Sequence, residues 1–190
     1  NGKSDALRLA RTKADGFETL ATVVKSAVLH QPAIAIDGKG TTWIIWGETH
    51  KDTTVNLKAK SWSEDKGFGK PVTLADTDAA EAFVVAGTDS KGRVWASWQS
   101  FRAGEADVYA RFLDPKFGKW SKEIAVATQK GGDWAPSIAF DKTGNIWIAY
   151  DSSRGNEFNL NLARVEGNDH GEVKEFPIAH SPRYEARASI

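Results

Sequence analysis

The chain has 190 residues, of which 41% are hydrophobic and 26% charged, a balance that is typical of a globular protein with a sizeable core. Twenty-five basic and 25 acidic residues cancel, so no net charge favours nucleic acid or an acidic membrane surface as a partner. The sequence has no cysteine, which excludes disulfides and thiolate metal sites, and no apolar run long enough to span a membrane.

The first predicted elements lie in residues 5–24, DALRLARTKADGFETLATVV, which are typical of two strands joined by a short turn. A phrase that recurs at intervals of 52 residues follows. It reads IDGKGTTWIIW at residues 36–46, TDSKGRVWASW at 88–98 and FDKTGNIWIAY at 140–150. The residues in register are Asp37, Asp89 and Asp141, then Gly40, Gly92 and Gly144, then Trp43, Trp95 and Trp147. A fixed period of this size indicates a repeat architecture.

Within one period the pattern predicts four antiparallel strands. In the last complete copy they are residues 135–140, 145–150, 158–165 and 173–179, separated by turns rich in Asp, Gly and Ser. The Asp-x-x-Gly turn reverses the chain between the first and second strands, because Gly supplies the positive φ that the turn requires. The first strand of the middle copy, AFVVAGTD, has Val84 where the other copies have proline, which leaves its register less certain.

We therefore predict an all-β β-propeller of four-stranded antiparallel blades with a 52-residue repeat. A helical solenoid is excluded, because helical periodicity is absent and turn clusters recur every few residues. The predicted boundaries are 1–29 for the end of one blade, 30–80, 81–132 and 133–183 for three whole blades, and 184–190 for the start of the next. Two arrangements stay open: a segment of a larger propeller, or a four-bladed ring closed by pairing the two ends.

Candidate site residues lie on the face that carries the loops joining blades and the loops after second strands. Glu81, Asp133 and Glu185 are one period apart and are predicted to stand where successive innermost strands begin. Such carboxylates could accept sugar hydroxyls, bind a cation or act as acid and base. The structural alternative, which a repeated residue favours, is that they cap backbone N–H groups or pair with Arg102 and Arg154.

Residues that interrupt the repeat are the better ligand-binding candidates. Trp134 has alanine at both equivalent positions, so we interpret it as an aromatic surface for a sugar ring, or alternatively as a cover for a neighbouring blade. Tyr184, His30 and His50 are further candidates on the same face. The histidines lack a third ligand at zinc-like spacing, so neither a metal nor a cofactor is predicted.

The stretches PAIAIDGKGTTWIIW and PSIAFDKTGNIWIAY resemble the propeller repeats of exported bacterial proteins, both TolB-like and sialidase-like. SFRAGEADVYAR, residues 100–111, is similar to the loop and third strand of TolB-type blades. The sialidase Asp-box reads Ser-x-Asp-x-Gly-x-Thr-Trp, and Asp and Gly are one residue further apart in this chain. The resemblance implies a secreted, periplasmic or cell-surface protein that binds a glycan or small-molecule ligand, or serves as an interaction module, beside a hydrolase or cell-surface domain.

The same resemblance implies an alternative function as a glycan-cleaving hydrolase or lyase with its site at the channel mouth. A sialidase needs an arginine triad, a tyrosine nucleophile with a glutamate partner, and an aspartic acid. The residues of these types on the candidate face include Arg102, Arg154, Arg183, Tyr184 and Glu185. Arg102 and Arg154 occupy repeat positions, which favours a structural role for them and a non-catalytic function for the chain.

Overall fold

A computed structural model describes residues 4–26, 28–49, 54–166, 171–181 and 183–190, and these ranges contain strands and turns but no helix. The strands form four separate antiparallel sheets, which confirms the predicted propeller of antiparallel blades. No helix in the described ranges could cross a membrane.

The sheets follow one another along the chain. The first contains β1 (Asp5–Lys13) and β2 (Gly16–Ser26). The second contains β3 (Leu29–Ile36), β4 (Thr42–Thr49), β5 (Val55–Ser63), β6 (Gly67–Phe68) and β7 (Val72–Ala75). The third contains β8 (Glu81–Thr88), β9 (Val94–Ser100), β10 (Asp107–Asp114), β11 (Lys119–Trp120) and β12 (Ile124–Ala127). The fourth contains β13 (Asp133–Phe140), β14 (Ile146–Arg154), β15 (Glu157–Val165) and β16 (Val173–Ala179).

The second and third sheets have five strands because their outermost strand is broken in two. β5 pairs with both β6 and β7, and β10 pairs with both β11 and β12. In the third sheet the break is at Ser121, whose hydroxyl accepts a hydrogen bond from the backbone N–H of Phe112. In the second sheet the break contains Pro71, which has no N–H to donate to the ladder. The second and third sheets are therefore four-stranded blades whose edge strand is interrupted.

The recurring Asp-Gly-Trp phrase is explained by a hydrogen-bonded turn. One carboxylate oxygen of Asp89 accepts from the backbone N–H groups of Lys91 and Arg93, each at 2.9 Å, and the other accepts from Trp95 Nε1 at 2.9 Å. The indole bonds of the other copies are Trp43 Nε1 to Asp37 at 3.2 Å and Trp147 Nε1 to Asp141 at 3.0 Å. The aspartate thus stabilises the turn and orients the tryptophan of the second strand.

Apolar clusters lie between successive sheets, so the blades pack face to face. The cluster between the second and third sheets includes Ile45, Leu57, Val94 and Trp98. The cluster between the third and fourth includes Trp95, Phe112, Ile148 and Tyr150, and the smaller one between the first and second includes Leu9, Val23, Ile44 and Trp46. Burial of these large side chains supplies the main stabilisation of the stack.

The innermost strands β3, β8 and β13 lie side by side, and each carries the same bulge close to its beginning. The register shift falls between Ala82 and Val85 in β8 and between Trp134 and Ser137 in β13. Phe83 and Ala135 occupy the left-handed region inside these bulges, with φ of 53° and 52°. Val84 therefore occupies the position within the bulge that proline occupies in the neighbouring copies. β8, whose register the sequence left less certain, is an ordinary innermost strand.

Residues 184–190 run along the fourth sheet without forming a strand. The backbone N–H groups of Arg187 and Ala188 donate to Asp151, at 2.8 and 3.1 Å, and that of Ile190 donates to Ser137 Oγ at 3.2 Å. Arg187 has a φ of 67°, repeating the backbone of Ala135 one period earlier and of Phe83 two periods earlier. In the described ranges β1 pairs with β2 alone.

Candidate functional site

The candidate face is formed by the loops that join successive sheets and by the loops that follow second strands, and we call it the loop face. In an up-and-down blade these connections lie at the same end of the sheet, and the Asp-x-x-Gly turns lie at the other end. The pairings of Glu81 with Ser100 and of Asp133 with Ser152 show that innermost strands begin on the loop face, where second strands end.

Glu81 is fully buried beneath the loop face. Its carboxylate accepts hydrogen bonds from Trp98 Nε1 at 2.6 Å and from Ser100 Oγ at 3.0 Å. Thr77 Oγ1 donates to it at 2.6 Å, and Arg102 reaches both of its oxygens at 3.0 and 3.1 Å. Every acceptor direction is therefore used within the protein, and the carboxylate presents nothing to a ligand on the surface.

Asp133 is also fully buried, and Arg154 contacts both of its oxygens at 2.8 and 3.1 Å. Burial raises the pKa of Asp133 to about 6, and the adjacent Arg154 opposes that rise without cancelling it. Arg154 also donates to the carbonyl oxygens of Gly132 and Ser153. Asp133 and Glu81 are thus each paired with the arginine of their own blade. This is the structural alternative considered for these carboxylates from the sequence.

Glu185 stands one period after Asp133 and is less enclosed. Ser181 Oγ donates to its Oε1 at 2.7 Å, which repeats the contact between Thr77 and Glu81. Its Oε2 is buried and has no hydrogen-bond partner in the part of the chain that the structure describes. Its backbone N–H donates to the carbonyl oxygen of Phe158 at 3.2 Å, which holds the segment against β15.

The structure brings Trp134 and Tyr184 together through a third ring, that of Phe158. The centroids of Trp134 and Phe158 are 6.1 Å apart in an edge-to-face arrangement, and those of Phe158 and Tyr184 are 4.9 Å apart. The Tyr184 side chain is 71% exposed. Sequence reasoning missed Phe158, although its counterpart one period earlier is Ala106, the same signal that singled out Trp134. We call Trp134, Phe158 and Tyr184 the aromatic cluster.

A cleft of about 420 Å³ lies between the loops of the third and fourth sheets. Its polar lining consists of Glu105, Lys130, Ser153 and Arg154, with three glycines. Gly132 belongs to this lining and lies against the Trp134 ring. A Cβ added at Gly132 would be 3.0 Å from the nearest atom of that ring. Charged groups of both signs therefore line a cleft that adjoins the half-buried Trp134 ring.

A second cavity, of about 390 Å³, lies between the innermost strands on the axis of the blades. It is lined by Gln31, Pro32, Phe83, Val84, Val85, Ala135 and Pro136. Phe83 is 49% exposed although it is large and its backbone is in the left-handed region, which is uncommon for a bulky residue. Sequence reasoning also missed Phe83, because only the bulge turns this position towards the axis.

The remaining candidates lie apart from this cluster. His30 is exposed on β3, and its Nε2 is 2.7 Å from Thr49 Oγ1. His50 lies outside the described residues. Among the described residues no group of three or more His, Asp or Glu side chains could hold a metal ion.

No family model matches the chain, and no curated protein matches it either. Among solved structures, it is similar to a polysaccharide lyase of family PL25, an ulvan lyase, with 16% identity, a TM-score of 0.62 and coverage of 90% of this chain and 47% of that one. The Hadza microbial sialidase Hz136 gives 14% identity, a TM-score of 0.58 and coverage of 90% and 40%. A thermostable family-43 glycoside hydrolase gives 14% identity, a TM-score of 0.56 and coverage of 97% and 75%.

The chain spans less than half the length of the lyase and of the sialidase. At identities of 14 to 16% the likeness shows the fold alone. That fold is the propeller-type architecture of the three glycan-active proteins, which agrees with the sialidase-like part of the resemblance noted in the repeats.

Proposed function

We propose that the chain is a glycan-binding propeller module whose ligand lies on the loop face against the aromatic cluster. The observation that carries the proposal is the contact of Trp134, Phe158 and Tyr184, which joins the exposed Tyr184 ring to the half-buried Trp134 ring next to Gly132 of a polar cleft. Sugar rings combine apolar C–H faces with many hydroxyls, so a glycan site needs both an aromatic surface and hydrogen-bonding groups. The aromatic cluster and the cleft supply these two elements side by side.

The three similar structures support a glycan as the ligand, because their names describe a polysaccharide lyase, a sialidase and a glycoside hydrolase. The cleft contributes Lys130 and Arg154 as donors and Glu105 as an acceptor. Glu105 also accepts from the backbone N–H of Gly131 at 2.7 Å, so part of this polar surface is already oriented. Preorganised polar groups reduce the entropy lost on binding.

Binding without turnover is the function that the geometry favours. Glu81 and Asp133 are completely buried and bonded to arginines, so neither can reach a glycosidic oxygen in this arrangement. One observation favours a second candidate, a glycan-cleaving enzyme: the pKa of Asp133 is raised to about 6, near the range of a general acid. That role would require Arg154 to leave Asp133 and open the cleft.

The test of binding uses the wild type and Trp134→Ala against ulvan and sialyllactose, followed by a broader glycan array. We expect the wild type to bind at least one glycan and Trp134→Ala to bind it about five- to tenfold more weakly, since one aromatic contact is worth about 1 kcal/mol. The melting temperature should change little, because the ring is only half-buried. Absence of glycan binding by the wild type would contradict the proposal.

The test of catalysis uses the same polysaccharides and measures new reducing ends and new unsaturated products. We expect neither from the wild type. Turnover that disappears in Asp133→Asn, with glycan binding retained, would establish the second candidate instead. We also propose that the protein is exported and that a hydrolase or cell-surface domain adjoins this module. Secretion of the full-length gene product from its native host would test the exported location.

A further inference from the structure

The fourth sheet has an apolar surface on the side that points away from the third sheet. Its residues alternate along their strands with Ile148 and Ala163, which pack against the third sheet. Among the described residues no further sheet covers this surface, and Ile178 on it is 55% exposed. We call the surface the outer apolar face, and it consists of Trp147, Leu160, Leu162, Phe176 and Ile178.

The third sheet shows what a surface of this kind binds. The residues one period before the outer apolar face are buried in the cluster that joins the third sheet to the fourth, and they are Trp95, Val108, Ala110, Ile124 and Val126. Val126 is 3% exposed, whereas its counterpart Ile178 is 55% exposed. The positions that the third sheet covers with the fourth sheet are therefore apolar but open on the fourth sheet itself.

Residues 184–190 already make one contact of an innermost strand with the fourth sheet. The backbone N–H of Glu185 donates to the carbonyl oxygen of Phe158 at 3.2 Å. One period earlier, the N–H of Asp133 donates to the carbonyl oxygen of Ala106. This is the contact by which the start of β13 meets the third sheet.

A second contact is repeated in the same way. The backbone N–H of Arg187 donates to the Asp151 carboxylate at 2.8 Å. One period earlier, the N–H of Ala135 donates to Gln99 Oε1 at 3.2 Å. The final residues thus lie on the fourth sheet as the start of β13 lies on the third, and the second strand that pairs with β13 has no equivalent there within the described ranges.

Glu185 lacks the arginine that both of its counterparts have. Glu81 is paired with Arg102 and Asp133 with Arg154, in each case 21 residues further along the chain. Oε2 of Glu185 is buried and has no hydrogen-bond partner in the part of the chain that the structure describes. A buried carboxylate oxygen without a partner is costly, so this position is incomplete until a donor reaches it.

A second copy of this chain fits the surface poorly. Four strands of about seven residues present a face of roughly 400 Å². A stable interface between separate proteins needs about 800 Å² on each partner. The outward side of the first sheet, which a second copy would offer, carries exposed Arg8 and Thr12 and is not apolar.

We propose that the outer apolar face and Glu185 together bind a further four-stranded sheet of this repeat. Its second strand pairs with residues 184–190, and its apolar side covers Trp147 and Ile178. Its arginine donates to Oε2 of Glu185, as Arg154 donates to Asp133.

The test joins a copy of residues 139–183 to the full chain directly after Ile190. Ile190 is one period after Ile138, so the copy of Arg154 falls 21 residues after Glu185. We expect one cooperative unfolding transition, with a melting temperature at least about 4 °C above that of the wild type. The control carries the same added residues in shuffled order and should show no rise. An extended chain that melts like this control would overturn the proposal.

Glu185→Gln tests the arginine contact in both chains. In the wild type it removes an unpaired buried charge, so the melting temperature should stay the same or rise. In the extended chain it breaks the new ion pair and should lower the melting temperature, as should Arg154→Ala in the added copy alone. Lys142→Ala in the added copy, at an exposed turn, is the matched control. A fall of equal size in both chains would overturn the role of Glu185.

The unextended chain provides a measurement that needs no added sheet. Ile178→Lys should change its melting temperature by less than about 2 °C, whereas Val126→Lys should lower it by at least about 8 °C. Equal losses would show that the outer apolar face is already covered. Light scattering should find a monomer, and a dimer that Ile178→Lys dissociates would overturn the assignment in favour of a second copy.

Discussion

Arg154 donates to both carboxylate oxygens of Asp133, at 2.8 and 3.1 Å, although that carboxylate is completely buried. The pair joins the end of the second strand of one sheet to the start of its innermost strand. Glu81 and Arg102 form the same connection one period earlier, with the same separation of 21 residues along the chain. We interpret both pairs as buried ion pairs that fix the conformation of the loop face.

The Asp133 carboxyl should make stability depend on pH. Burial raises its pKa from 3.8 to about 6, so the folded protein holds the proton more tightly than the unfolded chain does. The resulting stabilisation is complete below about pH 4 and is lost as the pH rises through 6. Relative to Asp133→Asn, the wild type should lose about 3 kcal/mol of unfolding free energy between pH 3 and pH 8. Urea denaturation at a series of pH values measures this difference, and a constant difference would contradict the assigned pKa.

Gly92 should be intolerant of any side chain, because it touches the turn of the neighbouring sheet. Its φ is +74°, and a Cβ would lie 2.7 Å from the Cα of Gly38, whose N–H donates to the Gly92 carbonyl oxygen at 2.9 Å. Gly92→Ala should therefore lower the unfolding free energy by about 3 kcal/mol.

Gly104→Ala is the control for this substitution. Its φ is +87°, but a Cβ there would meet nothing within 4 Å. Only the backbone penalty applies, which is about 1 to 2 kcal/mol. Thermal melts of both variants separate the two contributions, and equal losses would show that the contact between Gly38 and Gly92 does not matter.

Asp89 should contribute more to stability than its repeat counterpart Asp141. Asp89→Ala removes the acceptor of the fully buried Trp95 indole and of Arg93 Nε, which it contacts at 2.7 Å. Leaving a buried donor without an acceptor costs about 1 to 3 kcal/mol, and the lost ion pair adds to this. Asp141→Ala should cause a smaller loss because its turn is more exposed to water. Chemical denaturation ranks the two variants, and the reverse order would contradict the role assigned to burial.

Tyr184 should matter for ligand binding and not for stability. Its side chain is 71% exposed and touches the protein through Phe158. Tyr184→Ala should weaken binding of the glycan identified for the wild type about three- to tenfold, with little change in melting temperature. The control is Phe117→Ala, which removes a ring that is 66% exposed in the turn between β10 and β11, at the opposite end of the blade. Equal effects of the two variants on binding would exclude the loop face as the ligand surface.

Much of the fold could be predicted because its determinants are local. The Asp89 turn and the indole bond of Trp95 involve residues at most six positions apart, so the spacing in the sequence reports the hydrogen bonds directly. The strand with Val84 was harder, because the bulge that sets its register shows no distinctive residue. Of the aromatic cluster, Trp134 and Tyr184 were selected from the sequence as residues that interrupt the repeat, and Phe158, which contacts both rings, was not.

The period, the four-stranded blade and the grouping of the inter-blade loops at one end could be read from the sequence, since each follows from turn residues and strand alternation within 52 positions. The accessibility of individual groups could not be read in this way. Burial of Glu81 and Asp133 and exposure of Phe83 depend on how separate sheets pack. The physical reason is that desolvation and stacking are properties of surfaces brought together from distant parts of the chain, and a local pattern does not record them.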